Sequence, residues 1–144
     1  MFINIMKKNE TKIIVYAKEG DMKGDLIKEM IAGLVPQANV EAYGVISDLL
    51  SRLHMPQRDY DIAVLFAADR EDLKEIFTIR PLLDNVRIIL VLPDRQSETI
   101  KIGHSLRPRY LSFNDSPVSD VVFVLIKMIE AESVNKKMSL EEIA

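Results

Sequence analysis

Tyr60-Asp-Ile-Ala-Val-Leu-Phe66 and Val86-Arg-Ile-Ile-Leu-Val-Leu92 decide the fold. Each is short, almost continuously apolar and rich in β-branched residues, the texture of a strand covered on both faces. Working outward, Lys12-Ile-Ile-Val-Tyr-Ala17, Asn39-Val-Glu-Ala-Tyr43 and Arg109-Tyr-Leu-Ser-Phe113 also have strand length and composition. Val40 and Ala42 alternate with Glu41 and Tyr43, which suits an edge strand with one wetter face.

Helical periods fill the gaps. Leu26, Ile27, Met30, Ile31 and Leu34 form one stripe, stopped by Pro36. Ile46, Leu49, Leu50 and Leu53 form the next, ended before Pro56. Asp69 reads as the N-cap of a third helix with Leu73, Ile76 and Phe77 on its buried face, and Pro81 should end or kink it. The fourth, roughly residues 94–106, has a poor stripe and an internal Gly103. In the fifth, Ser116 caps, Pro117 opens the helix, and Val118, Val121, Val122, Leu125, Ile126 and Ile129 face the core. Strand and helix thus alternate five times. That predicts an α/β fold with a single five-stranded parallel sheet, order 2-1-3-4-5, and helices on both faces, doubly wound by right-handed crossovers.

With 144 residues, 48% hydrophobic and 28% charged, the chain has the size and composition of one globular domain. The expected division is an α/β domain over residues 11–131 and a short tail over 132–144, where Ser139 and Glu142 have capping-box spacing. No apolar run approaches the ~20 residues of a membrane span. The first ten residues lack the apolar core of a signal peptide, so a cytoplasmic protein is expected. There is no cysteine, which excludes disulfides, thiolate metal sites and thiol nucleophiles. The net charge of -3 argues against nucleic-acid binding by bulk electrostatics.

In this topology ligands sit outside the carboxyl ends of the strands. Lys12-Ile-Ile-Val-Tyr-Ala-Lys-Glu19, Tyr60-Asp-Ile-Ala-Val-Leu-Phe66 and Tyr110-Leu-Ser-Phe113 resemble the first, third and fifth strands of two-component response-regulator receiver domains. The resemblance spans roughly residues 11–130 and lies in architecture and strand texture. It implies a flavodoxin-like fold, and it also implies where phosphoryl chemistry would reside. Receivers place a metal-holding acidic pair after strand one; here those positions read Ala17 and Lys18. Their phosphoacceptor aspartate is matched by Phe66, the strand-four hydroxyl residue by Leu92 and the strand-five lysine by Phe113. Only the switch aromatic of strand five is kept, as Tyr110. Phosphoryl transfer to an aspartate needs a carboxylate nucleophile, metal-holding oxygens and a neutralising cation. None of these side chains supplies one, except that Lys18 either stands in for the cation or points to solvent.

The remaining candidates are few. Glu19, Asp21, Asp69 and Asp94 lie near the rim, either as a relocated metal site or as helix caps and first-turn charges. His54 and His104 have no zinc-ligand spacing. Walker A, Gly-x-Gly-x-x-Gly and Gly-x-Ser-x-Gly motifs are absent, and Lys18-Glu-Gly-Asp-Met-Lys-Gly24 lacks the hydroxyls of a flavin phosphate loop. No catalytic residue, metal or cofactor is therefore expected. Lys101, His104, Arg107 and Arg109, with Arg95 upstream, concentrate positive charge. Together with Tyr110 and Phe123 they mark a candidate interaction face, the bland alternative being a solvated surface. The expected function is a stand-alone pseudo-receiver in bacterial signal transduction: not an enzyme, but a binder of an unidentified protein partner or of a second copy in a homodimer. The rival is a small-molecule or nucleotide-binding flavodoxin-like protein, possibly an enzyme, using a crevice lined by Phe66 and Phe113.

Overall fold

The computed structural model describes residues 11–35, 39–57 and 59–143, with side chains of the last helix described as far as Glu132. Five β-α units follow one another. Strands β1 (Ile13–Ala17), β2 (Val40–Tyr43), β3 (Ile62–Phe66), β4 (Arg87–Leu92) and β5 (Tyr110–Phe113) are followed by helices α1 (Met22–Leu34), α2 (Ile46–Leu53), α3 (Arg70–Thr78), α4 (Ser97–Ser105) and α5 (Val118–Ile143). The strands form one parallel sheet in the order β2-β1-β3-β4-β5, as the alternation predicts. Register places Ala17 beside Phe66, Phe66 beside Val91, and Leu92 beside Phe113, so the chemically decisive positions share one end of the sheet.

Period-two alternation sends neighbouring residues to opposite faces. Ile13, Val15, Ala17, Ile62, Val64, Phe66, Ile89 and Val91 pack with Ile27 and Ile31 of α1 and Val121, Leu125 and Ile129 of α5. Ile14, Tyr16, Ala63, Leu65, Ile88, Leu90 and Leu92 pack with Leu49, Leu53, Leu73, Ile76 and Leu106 on the other face. Every residue of β1 and β3 is buried, which is why those strands read as unbroken apolar runs.

The helical stripes are narrower than their sequences suggest. Leu26, Leu34, Leu50 and Phe77, expected in the core, are exposed. Each short helix meets the sheet along a single narrow ridge, an i, i+4 pair in Ile27 and Ile31 or Leu49 and Leu53 and an i, i+3 pair in Leu73 and Ile76, and apolar residues flanking that ridge turn outward. In β2 it is Ala42 that faces water, whereas Glu41 and Tyr43 are half-buried beneath Arg52. Pro81 opens a 3-10 turn, Arg80–Leu83, between α3 and β4. Helix α4 is shorter than expected, and α5 begins at Val118 and runs without interruption through residue 131 to Ile143. The proposed stop at Pro36 lies outside the described residues, as do the opening ten residues. Among the described residues no helix is long and apolar enough to cross a membrane.

Candidate functional site

The last residues of β1, β3 and β4 are closed off by packing. Ala17 is fully buried, and a Cβ built on Gly24 of α1 would come within 2.7 Å of the Ala17 Cβ. Helix α1 therefore lies directly over the end of β1, and a longer side chain at position 17 would push it away. Phe66 is 1% exposed beneath α1 and α5. Burying a phenylalanine stabilises by roughly 1.5 to 3 kcal/mol, whereas a carboxylate in the same space would lose its hydration. Leu92 is fully buried on the opposite face, its methyl carbons lying 2.9 and 3.0 Å from the place a Gly103 Cβ would occupy.

Phe66 and Phe113 do not line a common crevice. Alternation sends Phe66 to the face of α1 and α5 and Phe113 to the other. Phe113 is only half-buried. The Arg95 guanidinium sits 4.0 Å from its ring centroid and donates to both carboxylate oxygens of Asp115, at 3.1 and 2.9 Å. Arg95 holds the Asp115 carboxyl below the usual range through this hydrogen bond. The open space beside them, about 470 Å³, is lined by Pro93, Asp94, Arg95, Phe113, Asn114 and Asp115, a mixed polar rim around one covered ring.

Cations do occupy this end of the sheet, from positions the sequence left unremarked. Lys23 reaches from α1 and donates its ammonium to the carbonyls of Asn114 and Ser116, tying β1-α1 to the β5-α5 connection. Lys28 donates to the Ala17 carbonyl at 3.0 Å and pairs with Asp25 at 3.4 Å. Lys18, the residue first considered for this role, is exposed. Long side chains entering from a helix, six and eleven residues beyond the end of β1, leave no pattern in the strand ends themselves.

The rim carboxylates are structural. Asp21 caps α1 by accepting from the Gly24 amide at 2.9 Å, and Asp69 caps α3 by accepting from the Asp72 amide at 2.7 Å. Asp94 accepts from the Gln96 amide at 2.9 Å. Its carboxyl is held below the usual range by hydrogen bonds from Thr99 first and then Gln96. Glu19 packs over Gly44 instead of facing the other three. Among the described residues no cluster of histidine, aspartate and glutamate could hold a metal.

One buried polar pair escaped the sequence reading. Asp72, on the inner side of α3, accepts from the Tyr16 hydroxyl at 2.7 Å and from the Ala68 amide at 3.0 Å. Burial first, and then the carboxylate partner, push the Tyr16 hydroxyl above its ordinary range.

The candidate interaction residues share the β5 edge but do not form one cluster. Lys101 and His104 are exposed on α4, and Phe123 is 61% exposed on α5 with the Lys127 ammonium 5.4 Å from its ring centroid. Tyr110 is half-buried against the core under α5. Arg107 and Arg109 lie at the other end of the sheet, beside Arg87, and Asp115 is engaged by Arg95.

No family model matches the chain, and no curated protein matches it. Solved structures do. A CheY-like response regulator receiver domain protein from Methanospirillum hungatei superposes with a TM-score of 0.66 at 12% identity, covering 87% of this chain and 98% of that one. A protein from Burkholderia pseudomallei described as pilus assembly-related gives 0.60 at 18% identity, covering 86% and 92%. A response regulator from the same organism, solved with a phosphorylated aspartic acid, a calcium ion and citrate, gives 0.58 at 12% identity, covering 91% and 74%. The chain therefore has the receiver-domain fold.

Proposed function

We propose that this chain is a receiver-fold signalling module that accepts no phosphoryl group and acts by binding a protein. The observation that carries the proposal is the filled strand-end site, where Ala17 under Gly24, Phe66 and Leu92 belong to the core. A metal-dependent phosphoryl transfer needs oxygen ligands and a nucleophile in that space, and the side chains there are hydrocarbon. The nearby ammonium of Lys23 is spent on backbone carbonyls of the β5-α5 connection, which favours one fixed arrangement of the β5 edge over a switch between two.

The β5 edge is then the natural contact surface, through Lys101, His104, Tyr110 and Phe123, with Arg107 and Arg109 at its far end. An exposed phenylalanine and a run of cations on a net acidic chain suit an acidic protein partner. The space between Pro93 and Asp115 is polar at its rim, and Arg95 covers its one ring, so it gives no support to a flavodoxin-like small-molecule pocket. The direct test is incubation with acetyl phosphate and magnesium followed by intact-mass measurement. No mass increase of one phosphoryl group is expected, and a stoichiometric acid-labile adduct on an aspartate would end this reading.

A further inference from the structure

At the amino-terminal ends of β4 and β5, opposite the closed strand-end site, lies an open cleft of about 400 Å³ lined by Asn85, Arg87, Arg107 and Arg109 with the aliphatic Val86 and Pro108. Two features set it apart. The first is charge. Arg87 is offset by Glu132, Nη1 to Oε1 3.0 Å, whereas the guanidinium groups of Arg107 and Arg109 have no hydrogen-bond or ion-pair partner among the described residues. The cleft thus presents two uncompensated guanidinium groups on a chain whose net charge is negative.

The second feature is backbone conformation. Asn85 and Arg107 have φ of 67° and 52° and are the non-glycine residues with positive φ among those described; both line this cleft. Asparagine tolerates that conformation, but arginine does not do so readily. Arg107 follows the end of α4, its amide donating to the His104 carbonyl at 3.0 Å, at the position where helices ordinarily carry glycine. A cation favours a helix carboxyl end from any place in the last turn, so the dipole does not explain an arginine in the one place where its backbone is strained. What this position adds is a guanidinium beside Arg109.

We propose that this cleft is a binding site for a phosphoryl group. Two guanidinium groups match the nearly doubled negative charge that phosphate concentrates on one atom cluster, and their forked donors suit its oxygens. A single carboxylate would leave one of the two charges uncompensated. Among the described residues no aromatic ring lines the cleft, so these residues give no platform for a nucleobase, and recognition rests on the phosphoryl end of the ligand. The site shares Arg107 and Arg109 with the far end of the β5 edge, and it does not depend on how the strand-end crevice is used.

The test is an amide NMR titration of the whole chain at constant ionic strength with inorganic pyrophosphate, an O-phosphoserine peptide and succinate. Pyrophosphate should give saturable shifts at residues 85–88 and 107–109, with succinate about tenfold weaker. Arg107→Gly, which relieves the backbone while removing the guanidinium, should melt no lower than the parent and bind pyrophosphate about tenfold more weakly. A phosphoserine peptide binding more tightly than pyrophosphate assigns the phosphoryl group to a protein; weaker binding assigns it to a free small molecule. No saturable shift with either phosphoryl probe, succinate binding as tightly as pyrophosphate, or unchanged affinity in Arg107→Gly overturns the assignment.

Discussion

Tyr16 and Asp72 illustrate what a single residue contributes beneath a hydrophobic sheet. The Asp72 carboxylate is buried, with one oxygen on the Tyr16 hydroxyl and the other on the Ala68 amide. Removing one partner from a buried acceptor costs more than the bond contributes, about 1 to 3 kcal/mol. Tyr16→Phe is therefore expected to lower stability by about that amount in urea unfolding, and Asp72→Leu added to it should recover part of the loss. A loss in the double variant equal to the sum of the single ones would mean the two groups act separately. Nothing in the sequence announces this pair. Asp72 reads as a first-turn charge favouring the macrodipole, and only the rotation of α3 turns it inward. Phe66 is the opposite case, legible in its strand and buried as expected. Phe66→Asp exchanges a packed ring for a desolvated carboxylate, and a loss of about 3 to 5 kcal/mol is expected without any gain of phosphorylation. An unchanged melting temperature would place the ring outside the core.

Helix α1 sits so close to β1 that its glycine determines the distance. A methyl group on Gly24 would meet the Ala17 Cβ at 2.7 Å, backbone-fixed on both sides, so α1 itself must move. Alanine would improve helix propensity by about 1 kcal/mol, but the clash should outweigh it, and Gly24→Ala is expected to destabilise by about 1 to 3 kcal/mol net. A rise in the urea midpoint would show that the helix has room to spare. At the opposite end, Arg52 of α2 joins Glu41 at 2.7 Å and Asp59 at 2.8 Å, and Lys12 reaches Asp59 at 2.7 Å. Lys12 first, and then Arg52, hold the Asp59 carboxyl at about 2, below its ordinary 3.8. A lowered folded-state value means that this contribution is present above pH 3.8 and is lost as pH falls toward about 2. The melting-temperature gap between the parent and Asp59→Asn should accordingly be widest above about pH 4 and close near pH 2. The pair is partly exposed, so the gap should be small and salt-sensitive. A gap that does not change with pH would remove the cluster from acid stability.

The whole molecule was legible in the sequence where the signal was periodic and opaque where it depended on reach. Strands buried on both faces give apolar runs, and alternation with helices gives a parallel sheet with one order to prefer; β1 to β5 fall within a residue or two of their expected limits. Helix faces were less legible, because an apolar stripe in sequence does not say how wide a contact the sheet offers, and Leu26, Leu34, Leu50 and Phe77 turned outward. Ala17, Phe66 and Leu92 were readable as apolar strand ends, and they are buried. The separation of Phe66 from Phe113 required the parity of two strands in register, and the bridges made by Lys23, Lys28 and Arg95 required side chains reaching between elements. Ala17, Phe66 and Leu92 are packed core at the strand ends, and the proposed function requires that no phosphoryl group lodge there. Amide NMR of the whole chain, titrated with magnesium and fluoroberyllate, tests it most directly. No saturable shift is expected at residues 17–18, 66–69, 92–94 and 113–115; stoichiometric shifts centred on those strand ends would overturn the proposed function.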